Sequence, residues 1–257
     1  MVRLRDGVQA AVGRFGFEIR RRVPAAEEEP PPGPDVPDPT LDFRARARPI
    51  LERHAAQTLE DVAGLRRKYE QPVFGERRVW DLLDGLPGCI DPTDQRLFCA
   101  SQHVHVLQML EAMEADGTYE REPDLRLATL IHDLGKLLLL TDEDPANVVC
   151  MNEPIGRYED GVGLDQVTFQ WNHDEFGYAR FRHLVPEHVS WLIRYHSIDP
   201  HATRHLMDER DLAYADRYLL PFFHHDHATK TPHHLPTVDL RAYRDLLEEA
   251  FPHPIPF

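Results

Sequence analysis

The sequence predicts an all-α fold, a single helical bundle that follows an extended N-terminal segment. From Leu41 onward, apolar residues recur at intervals of three and four, which is the spacing of helices with one buried face. Patterns that alternate apolar and polar residues, which are typical of strands, are scarce, and no internal repeat is evident. In such a bundle, side chains from several helices project into one interior, where they can bind ligands together.

The first forty residues are predicted to lie outside the bundle. Residues 1–23 are basic and weakly amphipathic, which favours a frayed helix, with a helix bound to a membrane surface or a partner as the alternative. Residues 24–40 are rich in proline, which lacks a backbone donor and interrupts helices. This stretch is therefore predicted to be an extended linker, and residues 41–257 the folded domain.

Within that domain, the periodicity predicts helices separated by short breaks. The first helical pattern runs through Ile50, Leu51, His54, Thr58, Val62 and Leu65. Further helices are expected at 79–86, 97–113, 125–140, 167–181, 186–197, 208–223 and 239–251, with a loop at 142–167 where proline and glycine interrupt the pattern.

Composition limits the possible functions. The chain has 257 residues, and the hydrophobic share of 42% suffices for a large core. A net charge of −15 argues against nucleic acid as the main partner. The three cysteines lack metal-binding spacing and indicate reduced thiols, and no apolar run is long enough for stable membrane insertion. We therefore expect a cytoplasmic protein that is a monomer or a weak oligomer.

The adjacent pair His132-Asp133 is the most informative feature of the chain. It follows an apolar run at helical spacing, and burying both side chains is costly unless a bound cation compensates. More histidines and one more aspartate occur along the chain and complete a candidate ligand set: His105, His132, Asp133, His173, His196 and Asp226.

Six ligands are too many for one tetrahedral zinc ion. They fit two metal ions that share a carboxylate, and Asp133 is the natural bridge because a carboxylate has two oxygens. Mixed imidazole and carboxylate ligands suit iron or manganese, and they do not exclude zinc.

The motifs around these residues resemble those of the inositol oxygenase family, which is part of the HD-domain superfamily of metalloproteins. The matching stretches, in chain order, are residues 105–111, 130–136, 163–165, 171–175, 193–197 and 226–230. The resemblance covers roughly residues 43–252 in one order, which makes it far more specific than any single motif. It implies that residues 41–257 form a catalytic bundle of the HD-domain type.

The resemblance also implies a non-haem di-iron site with a mixed-valent Fe(II)/Fe(III) pair and O2 as co-substrate. Asp133 would bridge the two irons; His105, His132 and Asp226 would complete one, and His173 and His196 the other. The family's reaction oxidises a small hydroxylated molecule and cleaves a ring C–C bond. A metal-dependent phosphohydrolase of the wider HD superfamily is the alternative, with a non-catalytic binding module as a third interpretation that the complete ligand set disfavours.

Two lysines are predicted to be catalytic and to bind substrate. Lys136 follows His132 by four positions, and Lys230 follows Asp226 by four, which on a helix places each one turn from a ligand. Their ammonium groups could donate to substrate oxygens and neutralise developing charge. Ser197 is also predicted to contact the substrate, because it directly follows His196. The resemblance predicts three further substrate contacts, Arg44, Asp91 and Thr93.

One departure from the family concerns the substrate. His173 follows His132 by 41 positions, a clearly shorter interval than in inositol oxygenases, whose longer segment includes a substrate loop. The resemblance therefore leaves the substrate's identity open, and myo-inositol is expected to be a poor substrate.

Overall fold

The computed structural model describes residues 39–98, 100–149 and 151–257, and this part of the chain is mainly helical. Its α-helices are α1 Pro39–Ala55, α2 Leu59–Lys68, α3 Val79–Leu83, α4 Gln102–Ala115, α5 Thr118–Arg121, α6 Asp124–Ile131, α7 His173–Phe181, α8 Glu187–Tyr195, α9 Glu209–Tyr214, α10 Leu220–Ala228 and α11 Arg244–Ala250. Two short antiparallel strands, β1 Glu76–Arg77 and β2 Ile255–Pro256, form the one sheet in the described residues. The predicted all-α class is confirmed.

Turns of other helical types connect these elements. Short 3-10 helices lie at Leu86–Gly88, His132–Leu140, Pro145–Asn147, Leu164–Gln166, Arg204–Leu206 and Leu240–Tyr243, and a π-helical turn, Ala215–Leu219, joins α9 to α10. Within the described ranges, no helix is both long enough and apolar enough to cross a membrane.

The predicted N-terminal segment, residues 1–23, and most of the predicted linker lie outside the described residues. The first described helix, α1, begins at Pro39, two residues before the predicted start of the folded domain. Proline is well tolerated in the first turn of a helix, where its missing N–H would have no partner inside the helix.

The helical pattern of residues 50–65 belongs to two helices, because Thr58 begins a new one. The Thr58 side chain accepts a hydrogen bond from the Asp61 backbone N–H, and the Asp61 carboxylate accepts one from the Thr58 backbone. This reciprocal cap marks the start of α2, and Leu51 of α1 is 45% exposed, so it does not continue the buried face that the pattern predicted.

The predicted helix over residues 125–140 also divides. After α6 ends at Ile131, residues 132–140 tighten into a 3-10 helix. A close approach fixes this segment, since a Cβ atom on Gly135 would lie 2.2 Å from the backbone oxygen of His173. In a 3-10 helix, side chains three positions apart align, so Lys136 lies over Asp133 and the expected alignment with His132 was wrong.

The predicted helix at 208–223 proved too short. It continues through the π-helical turn and α10, so that Asp226 lies on a helix. A π-helical turn inserts one residue into the helical repeat and thereby changes which residues face the interior.

The 3-10 helix His132–Leu140 lies at the centre of the core. Met109 of α4, Leu130 of α6 and Ile193 of α8 are fully buried around it. The Phe257 ring packs edge-on against Phe176 of α7 at 5.2 Å, which helps to hold the helix that begins at His173. The bundle therefore brings α4, α7, α8 and α10 to one interior site.

Candidate metal centre

The fold brings all six predicted metal ligands together. His105 lies on α4, His132 and Asp133 open the 3-10 helix after α6, His173 is the first residue of α7, His196 caps the end of α8, and Asp226 lies on α10. Each is at most 5% exposed. Such burial is rare for ionisable side chains that lack partners, so these residues must stabilise one another or a ligand.

The two oxygens of Asp133 face different pairs of histidines. Oδ2 lies 3.4 Å from His132 Nε2 and 3.7 Å from His105 Nε2, and Oδ1 lies 3.1 Å from His173 Nε2 and 3.6 Å from His196 Nε2. We call the space beside His105, His132 and Asp226 the first metal position, and the space between His173 and His196 the second metal position. Asp133 borders both, as a bridging ligand would.

Backbone hydrogen bonds fix how three of the imidazoles point. The Nδ1 atoms of His132, His173 and His196 donate to backbone carbonyl oxygens at 2.9, 2.7 and 2.9 Å. In the neutral ring, each Nε2 therefore carries a lone pair that can bind a metal ion. His173 Nε2 and His196 Nε2 lie only 3.2 Å apart, where two lone pairs repel unless a cation lies between them.

Several buried polar atoms at the centre lack a hydrogen-bond partner. They are both ring nitrogens of His105, His132 Nε2 and Asp133 Oδ1. Asp226 Oδ1 lies 2.8 Å from His105 Nε2, yet the geometry of a hydrogen bond is not met. Each unpaired buried group costs about 1–3 kcal/mol. A cation at each metal position would satisfy all but His105 Nδ1, so the residues present fit two metal ions.

Both carboxylates of the first metal position are ionised. Burial raises the pKa of the Asp133 carboxyl, but the nearby ammonium of Lys136 outweighs this effect and holds the pKa well below its usual range. Burial likewise raises the pKa of Asp226, and the ammonium of Lys230 lowers it well below the usual value. Two negative oxygen ligands are therefore available to a cation.

The histidines of the two positions differ in their electrostatic surroundings. Burial and the Lys230 charge lower the pKa of His105 to about 4. Burial also lowers the pKa of His196, but the carboxylates of Asp174 and Asp133 outweigh it and raise this pKa to about 9. The second metal position therefore favours positive charge more strongly than the first.

A cleft of about 570 Å³ opens beside the centre and contains most of the predicted substrate contacts. Its lining residues are Leu51, Asp91, Thr93, Asp94, Gln95, Arg96, Lys136, Met151, His173, Ser197, Asp226, His227 and Lys230. Arg44, on α1, is exposed and does not line this cleft. The structure therefore brings Asp91, Thr93, Lys136, Ser197 and Lys230 to the metal ligands and leaves Arg44 apart.

Lys136 is buried and points at the Asp133 carboxylate. Its Nζ donates to Asp133 Oδ2 at 3.0 Å and to Gln102 Oε1 at 3.1 Å, and it lies 3.8 Å from Asp91 Oδ2. Gln102 was not predicted from the sequence, because its contact with Lys136 forms only when α4 packs against the 3-10 helix. The Thr93 backbone N–H and hydroxyl both donate to Asp91 Oδ1, which fixes this loop beside the lysine.

Lys230 makes a matching pair of contacts at the other carboxylate. Its Nζ lies 3.1 Å from Asp226 Oδ1 and 3.3 Å from Asp94 Oδ2. As the four-residue spacing predicted, Lys230 contacts Asp226, although Lys230 lies just beyond the end of α10. Asp94 was also missed, because only the folded loop shows that it reaches Lys230.

Comparison with known proteins decides the family. The sequence model of the family described as myo-inositol oxygenase matches residues 47–150 and 141–257. The chain belongs to the myo-inositol oxygenase family.

Members of the myo-inositol oxygenase family from plants and animals are similar to this chain over most of its length. Inositol oxygenase 2 of Arabidopsis thaliana is 30% identical over 198 residues, which are 62% of this chain and 62% of that protein. A probable inositol oxygenase of Oryza sativa subsp. japonica is 28% identical over 239 residues, 77% and 76% of the two chains. Inositol oxygenase of Homo sapiens is 27% identical over 270 residues, 86% and 92% of the two chains.

In this myo-inositol oxygenase family member, we expect Gly135→Ala to destabilise the fold and to displace His173. The added Cβ would meet the His173 backbone oxygen at 2.2 Å, so the two segments must separate. Overpacking of this kind costs about 1–3 kcal/mol. Thermal unfolding should show a clearly lower melting temperature than that of the unchanged protein.

Gly64→Ala is the matched control for this substitution. Gly64 lies inside α2, and a Cβ there would have nothing within 4 Å. Alanine is favoured over glycine in a helix by about 0.5–1 kcal/mol, so this variant should be as stable as the unchanged protein or more so. Equal melting temperatures for both variants would show that the close approach at Gly135 is unimportant.

Proposed function

We propose that this protein is an O2-dependent oxygenase that oxidises and cleaves a small polyol of the inositol type at two iron ions. One observation carries the proposal: the two oxygens of Asp133 face two separate groups of buried ligands, at the edge of a cleft that two lysines line. Membership of the myo-inositol oxygenase family and the names of the relatives support it.

Each metal position would hold one iron ion. His105, His132, Asp226 and Asp133 would bind one, and His173, His196 and Asp133 the other. When bound, such a pair of irons supplies O2 activation and accepts electrons from the substrate. The protein's own residues then have to bind the substrate, orient it and manage charge.

The lysines retain donors for the substrate. An ammonium group has three N–H donors. Lys136 directs two of them to Asp133 and Gln102, and Lys230 has Asp226 and Asp94 as its acceptors. Each therefore retains one donor for a substrate oxygen at the cleft. Fixed donors of this kind stabilise negative charge that develops on a hydroxyl oxygen as it is oxidised.

The lysines alone would also suit a phosphohydrolase, in which they would bind phosphate. The family match disfavours this alternative, because the chain belongs to the myo-inositol oxygenases. A polyol can also donate to the carboxylates of Asp91 and Asp94 that line the cleft, whereas a fully ionised phosphate has no hydrogen to donate.

Oxygen consumption separates the two functions. Iron-loaded protein that receives a polyol substrate should take up O2, and without O2 it should form no product. We would measure O2 uptake with an electrode and, in parallel, phosphate release from nucleoside monophosphates and other phosphomonoesters. Phosphate release at the same rate with and without O2, together with no polyol-dependent O2 uptake, would assign the protein to the phosphohydrolases.

We expect myo-inositol to be a poor substrate. Among the described residues of the short segment between Lys136 and His173, the one that lines the cleft is Met151, whose apolar side chain cannot bind a hydroxyl. Each polar contact left unmade costs about 1–3 kcal/mol, roughly ten- to a hundredfold in selectivity. Initial rates of O2 uptake with myo-inositol and with polyols that carry fewer hydroxyls test this. Turnover of myo-inositol faster than that of every other polyol would contradict it.

A further inference from the structure

Asp174 is a fully buried carboxylate beside the second metal position. It follows His173 on α7 and is 0% exposed. None of the described lysines or arginines forms an ion pair with it. The Nε2 atoms of His173 and His196 lie 3.1 and 3.6 Å from Asp174 Oδ1, and the imidazole of His54 also interacts electrostatically with this carboxylate. An isolated buried charge is unfavourable, so this carboxylate needs a positive charge nearby.

Asp174 also determines which way the Ser197 hydroxyl points. The Ser197 Oγ donates to Asp174 Oδ1 at 2.9 Å, and the Ser197 backbone N–H donates to Asp174 Oδ2 at 3.1 Å. A serine hydroxyl has one hydrogen, and an ionised carboxylate can only accept. Because the hydrogen points at Asp174, the Ser197 oxygen offers only its lone pairs to the cleft that it lines.

The two metal positions thus differ in charge. At the first, the ammonium groups of Lys136 and Lys230 contact the carboxylates of Asp133 and Asp226 and offset their charge. At the second, no ammonium group of the described part of the chain contacts His173 or His196, and Asp174 adds a further carboxylate. An extra negative charge a few ångströms from a cation, inside a protein, strengthens its binding.

We propose that Asp174 is a positioning residue with two effects. It adds negative charge that strengthens the binding of a cation between His173 and His196, and it holds the Ser197 hydroxyl as a hydrogen-bond acceptor for a substrate hydroxyl. The first effect follows from the ligand geometry alone, and the second rests on the proposed function. Nothing in the family match or in the ligand set assigns a role to this residue.

Titration with Co(II) tests the first effect, since its visible absorption reports binding at each position and His196→Ala identifies the signal of the second. We expect Asp174→Asn, which removes the charge and keeps the shape, to weaken Co(II) binding at the second position at least about tenfold. Binding at the first position should stay within about twofold. Binding of both ions within twofold of the unchanged protein would overturn this effect.

Glu175→Gln is the matched control. Glu175 is the next residue on α7, and its carboxylate accepts from Arg66 at 3.2 Å and from Arg194 at 2.6 Å. Losing this charge should leave both Co(II) affinities unchanged, and an equal loss in both variants would mean that any carboxylate on α7 suffices. If Asp174→Asn fails to fold, Asp174→Ser, whose hydroxyl can still accept the Ser197 backbone N–H, takes its place.

A double-mutant cycle with Ser197→Ala tests the second effect in iron-loaded protein with a polyol substrate. We expect Asp174→Asn to raise KM about tenfold when Ser197 is present and twofold or less in the Ser197→Ala background. Equal effects in both backgrounds would overturn the role in orienting Ser197. If the unchanged protein oxidises no polyol, the proposed function fails, and the Co(II) titration still decides whether Asp174 acts on the metal position.

Discussion

Asp133→Ala is expected to lose both metal ions. The two oxygens of Asp133 face both metal positions, and its Oδ1 has no hydrogen-bond partner in the described structure. The substitution removes one ligand from each position at once and leaves Lys136 without its closest carboxylate. Iron content after anaerobic reconstitution and desalting should fall from two per chain to nearly none, and activity should fall with it.

Two variants control for this prediction. His196→Ala removes a ligand from the second metal position only and should reduce iron to about one per chain. Asp144→Ala removes a partly exposed carboxylate that pairs with Arg53 and should keep both irons. Retention of two irons by Asp133→Ala would show that Asp133 does not bridge and that our assignment of ligands is wrong.

Lys136→Ala is expected to slow turnover severely while both irons remain bound. The Lys136 ammonium contacts Asp133 and Gln102 and keeps a donor for the substrate, but it cannot be a metal ligand because a protonated amine has no free lone pair. Loss of a fixed donor to a developing negative charge typically lowers kcat roughly 10²–10³-fold. Stopped-flow or steady-state O2 uptake, together with iron analysis of the same sample, measures both quantities.

Lys68→Ala is the control for the loss of a lysine. The Lys68 side chain is 58% exposed, pairs with Glu143 and does not line the cleft. This variant should keep its kcat. A Lys136→Ala protein that retains both irons and full turnover would remove Lys136 from the catalytic machinery, and one that loses iron would make its role structural.

The six residues that the fold brings together at the centre could be predicted because each is recognisable from local sequence. Each ligand lies in a short motif, and the family resemblance places the motifs in order. Where the sequence prediction failed, the cause was a contact between distant residues. The leucine-rich run after Asp133 suggests an α-helix, but the structure has a tighter 3-10 helix there. In that helix, Gly135 closely approaches the backbone of His173, which is 38 positions away in the chain.

The functional residues that the sequence did not reveal also depend on contacts between distant residues. Asp94 and Gln102 matter because they accept from Lys230 and Lys136, and neither contact follows from spacing along the chain. Asp174 was recognised only as a neighbour of His173, since its bonds to Ser197 require α7 and the end of α8 to be packed together. Charge networks of this kind form only in the folded protein.

Counting iron in the unchanged protein tests the central claim most directly. Protein reconstituted with Fe(II) without oxygen, desalted and partially oxidised should contain two iron atoms per chain, and its electron paramagnetic resonance spectrum should show a coupled Fe(II)/Fe(III) pair. One metal ion per chain, or a single tetrahedral zinc that iron cannot replace, would contradict the claim that Asp133 joins two metal positions.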